Sequence, residues 1–337
     1  HTRYLGQHIE PEAAAGADVV VIFAGLPDSF ESEGYDRTSM ELPKCQNRLI
    51  EAVAEIQKNV VVVLHNGSPV ETPWAESVNA ILEMYLGGEG IGEASDRLLF
   101  GEANPGGRLA ETFPYRLEDN PSYLNFPGDG RTVLYGEDIF VGYRYYDTKK
   151  VPVRYAFGHG LSYTEFTYGD LTLSSAQMTD EDILTVSFKV KNTGKTEGKE
   201  VVQLYVADLC GTPERPVKEL KGFAKVHLLP GEEKTVSMEI LARDLSYYEE
   251  RLGDWYAPSG TYRILIGHAS DDIRLHADIV FETQKELPLR VDFTTTFGEL
   301  LDHTKTAPVI TELLAPLAAA AASAEGMSDE YKKLGEQ

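Results

Sequence analysis

The amino-acid sequence predicts a multidomain chain in which an α/β domain with a mostly parallel sheet precedes an all-β sandwich. Two patterns predict this fold class. Up to about residue 114, apolar runs of strand length alternate with helical patterns, as in strands joined by helical crossovers. After residue 164, short strands with alternating polar and apolar residues follow one another between turns, as in antiparallel β-sandwiches.

The predicted strands of the α/β domain are apolar runs rich in β-branched residues. Such uninterrupted runs are typical of strands that are buried on both faces of a parallel sheet. The predicted strands lie at residues 17–25, 59–64 and 78–85, and the predicted helices at 42–56 and 91–100.

Composition divides the rest of the chain. A long stretch rich in proline, glycine and tyrosine has no clear periodicity, and we expect it to be a connector that wraps one domain onto the next. The predicted sandwich strands include residues 184–190, 201–206 and 261–267. We therefore predict an α/β domain at 1–114, a connector at 115–163, a sandwich at 164–284 and a partly helical C-terminal extension at 285–337.

The charge balance restricts the partners of the chain. The 337 residues include 31 basic and 54 acidic side chains, which gives a net charge of -23. This excess repels nucleic-acid phosphates and anionic membrane surfaces, so we expect neither partner and favour a neutral or cationic ligand. No apolar run is long enough to span a membrane.

Cysteine and histidine patterns give no indication of a metal or cofactor. Cys45 and Cys210 are the only cysteines and lie in different predicted domains, so neither a disulfide framework nor a cysteine zinc site is expected. The eight histidines lack ligand spacing. Low cysteine usage is consistent with the cytoplasm, and no other feature of the sequence indicates a compartment.

The loop after the first predicted strand carries the most informative residues. It places Glu31 and Glu33 beside Phe30 and Gly34. In open α/β sheets, ligands bind at the carboxyl ends of the strands, and a carboxyl group there can act as a general acid. From this pattern alone, a solvated acidic loop is the better-supported interpretation.

Several short segments, in this order, resemble the C-terminal half of glycoside hydrolase family 3, which includes many β-glucosidases and β-xylosidases. Together they cover nearly all of the chain up to about residue 285. The matching segments are residues 17–21, 33–37, 66–70 with Pro73-Trp74, 104–109 with Thr112-Phe113-Pro114, 142–147 and 157–164.

The resemblance implies an α/β sandwich domain followed by a fibronectin-III-like domain. In this family a (β/α)8 barrel normally precedes these domains and carries the aspartate nucleophile; we expect that barrel to be absent from this chain, together with the N-terminal part of the α/β domain. The only Asp-Trp pair, Asp254-Trp255, lies between predicted sandwich strands and lacks the family's preceding Ser or Thr. We therefore expect no nucleophile there.

The resemblance also assigns roles to the loop. It implies that Glu33 is the general acid/base, with Glu31 as the reserve candidate. Phe30 and Tyr35 are candidate substrate contacts, although packing is an equally good explanation for each. Arg37 is a further candidate substrate contact, but we favour its pairing with an acidic neighbour, as buried charges are usually paired.

Two hypotheses of function follow. In the first, the chain is a subunit or fragment of a retaining β-glycosidase, most simply a β-glucosidase, that cleaves β-linked sugars at the nonreducing end of a β-glucoside or related oligosaccharide. It would be active only with a barrel-bearing partner chain. The alternative is a non-catalytic carbohydrate-binding or interaction module of the same fold. A nucleotide-binding protein is excluded, because the glycine-dense residues 87–92 lack the spacing of a phosphate-binding loop.

Overall fold

The computed structural model describes residues 14–212, 215–288 and 290–323, which fall into two compact units. One unit comprises the chain up to Ser246 together with Ala257–Gln284, and the other comprises Tyr247–Tyr256 and the chain from Lys285 onward. The first thirteen residues and residues 324–337 of the predicted domains lie outside the described residues.

The first unit begins with a three-stranded parallel sheet, as the sequence predicts. Strands β1 (Val20–Gly25), β2 (Val60–His65) and β3 (Ala80–Glu83) lie in that order in the sheet. Helix α1 (Lys44–Ile56) follows Pro43, a residue that favours helix starts, and α2 (Ile91–Leu99) follows β3.

Helix α1 covers one face of this sheet. Its buried side chains Ile50 and Val53 belong to the same apolar cluster as Val62 of the central strand β2 and Trp74. On β1 the side chains alternate between buried and exposed, and Phe23 is 60% exposed. The described part of the sheet is therefore covered at β1 on one face only.

Strand β3 is shorter than the sequence predicts, because the backbone turns sharply after it. Tyr85 adopts a positive φ of 50°, which a strand does not tolerate, and its N–H donates to Glu83 Oε1 at 2.8 Å. The carboxylate at the end of the strand thus terminates the strand.

A short antiparallel strand pair and a helix lie in and beside the connector, and sequence periodicity predicts neither. Strand β4 (Phe113–Pro114) pairs antiparallel with β5 (Val153–Tyr155), and α3 (Tyr143–Lys149) precedes β5. Tyr143 of α3 stacks on Phe157 with ring centroids 5.0 Å apart. Tertiary packing of aromatic rings, and not amphipathic periodicity, therefore accounts for this helix.

The sandwich consists of a five-stranded sheet and a three-stranded sheet. The first consists, in order, of β10 (Glu219–Leu228), β9 (Gly198–Asp208), β14 (Gly260–Ala269), β15 (Asp272–Glu282) and β7 (Gln177–Thr179). The second consists, in order, of β11 (Glu233–Leu241), β8 (Ile183–Asn192) and β6 (Phe166–Leu173). On β8 the side chains of Leu184, Val186, Phe188 and Val190 are buried at alternate positions, which is the pattern the sequence predicts. Helix α4 (Ala242–Leu245) follows β11, and the next two strands along the chain, β12 (Tyr247–Glu249) and β13 (Asp254–Tyr256), belong to the second unit.

A buried ionic cluster joins the α/β part to the sandwich within the first unit. Glu200 on β9 is fully buried and accepts hydrogen bonds from Arg108 Nη2 at 2.6 Å and from the Tyr168 hydroxyl at 2.6 Å. His268 Nδ1 lies 2.5 Å from the same carboxylate, and its Nε2 lies 3.0 Å from the carbonyl oxygen of Gly160. Burial raises the pKa of Glu200, but the hydrogen bond with His268 and the charge of Arg108 outweigh burial and hold it below its usual value.

The second unit contains the hairpin β12–β13 and two helices, α5 (Phe297–Asp302) and α6 (Ala307–Ser323). Thr296 caps α5 by accepting a hydrogen bond from the N–H of Glu299. The described residues of the two units contain no (β/α)8 barrel. Within those same residues, no helix is long and apolar enough to cross a bilayer.

Candidate active site

The loop between β1 and α1 is fixed to the neighbouring loop by Glu31. Its Oε2 accepts from the N–H of Gly67 at 2.7 Å, and its Oε1 accepts from the Ser68 hydroxyl at 2.5 Å. Gly67 and Ser68 follow β2 with only Asn66 between, so both loops lie at the carboxyl edge of the sheet. A Cβ added at Gly67 would lie 3.2 Å from the Glu31 carboxylate, so the absence of a side chain there allows this close contact.

Arg37 extends the same network. Its Nη1 donates to Ser68 Oγ at 2.6 Å and to the carbonyl oxygen of Pro69 at 3.2 Å, and it lies 3.8 Å from Glu31 Oε1. Burial lowers the pKa of Arg37, whereas Glu31 and Glu111 act in the opposite direction; the guanidinium nevertheless stays charged. Arg37 therefore has an acidic neighbour, which is the role that the sequence favours.

Glu33 lies two residues beyond this anchor and is exposed to solvent. Among the residues that the structure describes, none hydrogen-bonds its carboxylate. The next residue, Gly34, has a φ of +96°, a conformation that side chains other than glycine rarely adopt, so the chain turns directly after Glu33. The structure thus presents Glu33 at the surface and Glu31 at the base of one loop.

The two aromatic residues of the loop flank Glu33 without covering it. Phe30 and Tyr35 are 43% and 47% exposed. The Tyr35 hydroxyl donates to the carbonyl oxygen of Asp28, which holds the ring against its own loop. Both rings have exposed surface on which a substrate could pack.

Sequence reasoning missed a third carboxylate at this edge of the sheet. Glu83 accepts from Asn66 Nδ2 at 3.2 Å and from the N–H of Tyr85. Burial raises the pKa of Glu83 to about 7, although both hydrogen bonds act to lower it. The sequence feature that could have identified Glu83 is a charged residue near the end of the apolar run 78–85.

Glu111 is a further half-buried carboxylate near Arg37. Burial raises the pKa of Glu111, the charge of Glu31 adds to that rise, and Arg37 opposes it. No group of three or more His, Cys, Asp or Glu side chains within residues 14–212, 215–288 and 290–323 is placed to hold a metal ion. The carboxylates at this edge can accept hydrogen bonds and can donate or accept protons.

Two protein-family models match this chain, one over its α/β part and connector and one over its sandwich. Residues 6–163 match the glycosyl hydrolase family 3 C-terminal domain, and residues 200–270 match the fibronectin type III-like domain. The chain belongs to glycoside hydrolase family 3. It corresponds to the C-terminal part of the family, and the sequence-based prediction of family and fold class is confirmed.

Several beta-glucosidases are similar to this chain over most of its length. Thermostable beta-glucosidase B of Acetivibrio thermocellus is 52% identical over 303 residues, which is 90% of this chain and 40% of the relative. A beta-glucosidase of Kluyveromyces marxianus is 46% identical over 82% of this chain and 32% of its own length. The chain therefore spans well under half of the curated relatives that it matches.

Solved structures give the same result. The GH3 beta-glucosidase of Bifidobacterium adolescentis superposes with a TM-score of 0.82 at 40% identity, over 89% of this chain and 44% of that protein. The beta-glucosidase of Kluyveromyces marxianus in complex with glucose superposes with a TM-score of 0.77 at 44% identity, over 81% of this chain and 33% of that protein.

Proposed function

We propose that this chain supplies the general acid/base, Glu33, of a retaining β-glycosidase that cleaves β-glucosides from the nonreducing end. A (β/α)8 barrel on a partner chain would supply the aspartate nucleophile. Retaining glycosidases need two carboxyl groups about 5–5.5 Å apart, one as nucleophile and one as acid and then base. Family membership and the beta-glucosidase relatives support this reaction class.

The observation that carries the proposal is the contrast between the two carboxylates of the loop. Both oxygens of Glu31 are occupied by Gly67 and Ser68, so Glu31 holds the loop in place. Glu33 is exposed and has no hydrogen-bond partner in the described part of the chain. A general acid must reach the leaving-group oxygen to within hydrogen-bond distance, and only Glu33 is free to do so.

The environment of Glu33 also supports a partner. An acid that works near neutral pH needs surroundings that stabilise its protonated form, usually by excluding water. The exposed rings of Phe30 and Tyr35 would form one side of such a site, by packing or by stacking on a sugar ring, and the barrel mouth would form the other.

The experiment is Glu33→Gln in the assembled enzyme. An amide cannot donate a proton, so turnover should fall far more on substrates with poor leaving groups than on activated aryl glycosides, which hardly need the proton. Azide should partly restore activity by attacking the glycosyl-enzyme in place of activated water.

Glu31→Gln is the matched control, because it changes a carboxylate of the same loop by the same atoms. We expect a much smaller dependence on the leaving group from this variant. An equal loss on both substrate classes in Glu33→Gln, without azide rescue, would give Glu33 a structural role.

A further inference from the structure

A cavity of about 380 Å³ lies beside Arg37, between the loops that carry Arg37 and Ser68 and the connector. Arg37, Ser68 and Glu111 line one part of its wall, and Asn120 and Glu137 of the connector line another. Its volume lies in the range of small-molecule sites, about 300–1,000 Å³. Glu33 does not line this cavity, so the acid/base proposed above has no part in it.

The wall of the cavity holds polar groups that the protein leaves unused. Thr112 is only 6% exposed, and its hydroxyl has no hydrogen-bond partner among the described residues. In that same described part of the chain, Arg37 Nη2 and Glu137 Oε2 are also buried without a hydrogen-bond partner. Folded proteins satisfy about nine in ten of their buried polar groups, so three unsatisfied groups on residues around one cavity favour a ligand that these side chains reach after small rotations.

The chemistry of the wall selects the kind of molecule. Two carboxylates, Glu111 and Glu137, outnumber the single guanidinium of Arg37 and disfavour an anion, and a cation without acceptor atoms would leave the donors of Arg37 and Thr112 unpaired. A neutral molecule with several hydroxyls can donate to the carboxylates and accept from Arg37 and Thr112. Pro69 and Val141 add apolar surface for the C–H groups of such a molecule.

We propose that this cavity binds a neutral polyol of monosaccharide size. The ligand's hydroxyls reach the carboxylates of Glu111 and Glu137, and a small rotation of Thr112 brings its hydroxyl to the ligand. Because Arg37 also donates to Ser68, which donates to Glu31, an occupied cavity is linked by hydrogen bonds to the base of the Glu33 loop. The site goes beyond the proposed function, since it requires neither a barrel nor turnover.

The test measures binding to this 337-residue chain alone by saturation-transfer NMR, with D-glucose, D-xylose and glycerol as the probes. We expect saturable binding of at least one probe with a dissociation constant on the order of 1 mM, as befits a ligand of about twelve heavy atoms. Thr112→Val and Glu111→Gln should each weaken that binding roughly fivefold or more. Removal of the unpaired Thr112 hydroxyl should leave the thermal midpoint unchanged, so a loss of binding cannot be ascribed to unfolding.

Thr72→Val is the matched control. Thr72 is 4% exposed and its hydroxyl also lacks a partner in the described chain, but it does not line the cavity, so binding should stay within twofold of wild type. Three results would overturn the proposal: no saturable binding of any probe, equal binding by wild type and Thr112→Val, or a loss caused by Glu33→Gln instead. The last result would place the sugar at the loop and would leave the proposed function intact.

Discussion

Replacing Glu200 by glutamine should strongly destabilise the first unit, because this carboxylate is the centre of the buried cluster between the α/β part and the sandwich. The substitution keeps the shape of the side chain and removes its charge. The Arg108 side chain is only 4% exposed. Within the described residues, Glu200 is the only acidic group that forms an ion pair with it. After the substitution, a buried guanidinium therefore lacks a counter-charge.

The expected loss is about 3–5 kcal/mol, which is the usual cost of breaking a buried ion pair by removing one partner. Since domains unfold with about 5–15 kcal/mol, this is a large fraction of the total. Even the lower figure changes the unfolding equilibrium constant by roughly a hundredfold. Urea unfolding at pH 7, followed by circular dichroism, measures the difference.

Asp278→Asn is the control, because Asp278 pairs with Arg263 at 2.7 Å on the surface of the sandwich. Exposed pairs contribute about 0–1 kcal/mol, so this variant should unfold almost as wild type does. Since the pKa of Glu200 is lowered in the folded state, its stabilising contribution is present above the usual carboxyl pKa and is lost as the pH falls through the folded pKa. A loss in Glu200→Gln no larger than in Asp278→Asn would refute this reasoning.

Two further predictions concern the parallel sheet. The pKa of Glu83 is raised to about 7, so the folded state keeps a proton that the unfolded state releases between about pH 4.5 and 7. The free energy of unfolding should therefore fall by roughly 2–3 kcal/mol as the pH rises through this window. Glu83→Gln should remove this pH dependence when unfolding is measured at several pH values, and parallel profiles for the variant and the wild type would contradict the prediction. We also expect a strand of another polypeptide to complete the sheet at its β1 edge, because β1 pairs only with β2 within the described residues and an open edge invites pairing. A structure of the assembled enzyme in which no foreign strand pairs with this sheet would contradict this.

The sequence predicted the elements that depend on local patterns. The β-branched run at 59–64 became β2, and the helix expected behind Pro43 became α1. Helix α3 could not be predicted in this way, because contacts of Tyr143 with distant rings stabilise it. Local periodicity carries no information about such contacts.

In the candidate site, too, the sequence indicated local features and gave no indication of long-range contacts. The sequence drew attention to the loop from Phe30 to Arg37 because its residue types follow an apolar strand. It gave no indication that Glu31 binds Gly67, because these residues are 36 positions apart and meet only when β1 and β2 pair. Likewise, the raised pKa of Glu83 comes from burial, which depends on the folded chain.

The most direct test of the proposed function is hydrolysis of an aryl β-glucoside by three samples: this chain alone, a barrel-bearing partner alone, and their mixture. The reaction needs two carboxyl groups at short range, and Glu33 is the candidate for the acid/base among the residues that the structure describes. We predict no turnover by either chain alone and turnover by the mixture. Turnover by this chain alone that survives repurification and is abolished by Glu33→Ala would contradict the account, and an inactive mixture would favour the non-catalytic module.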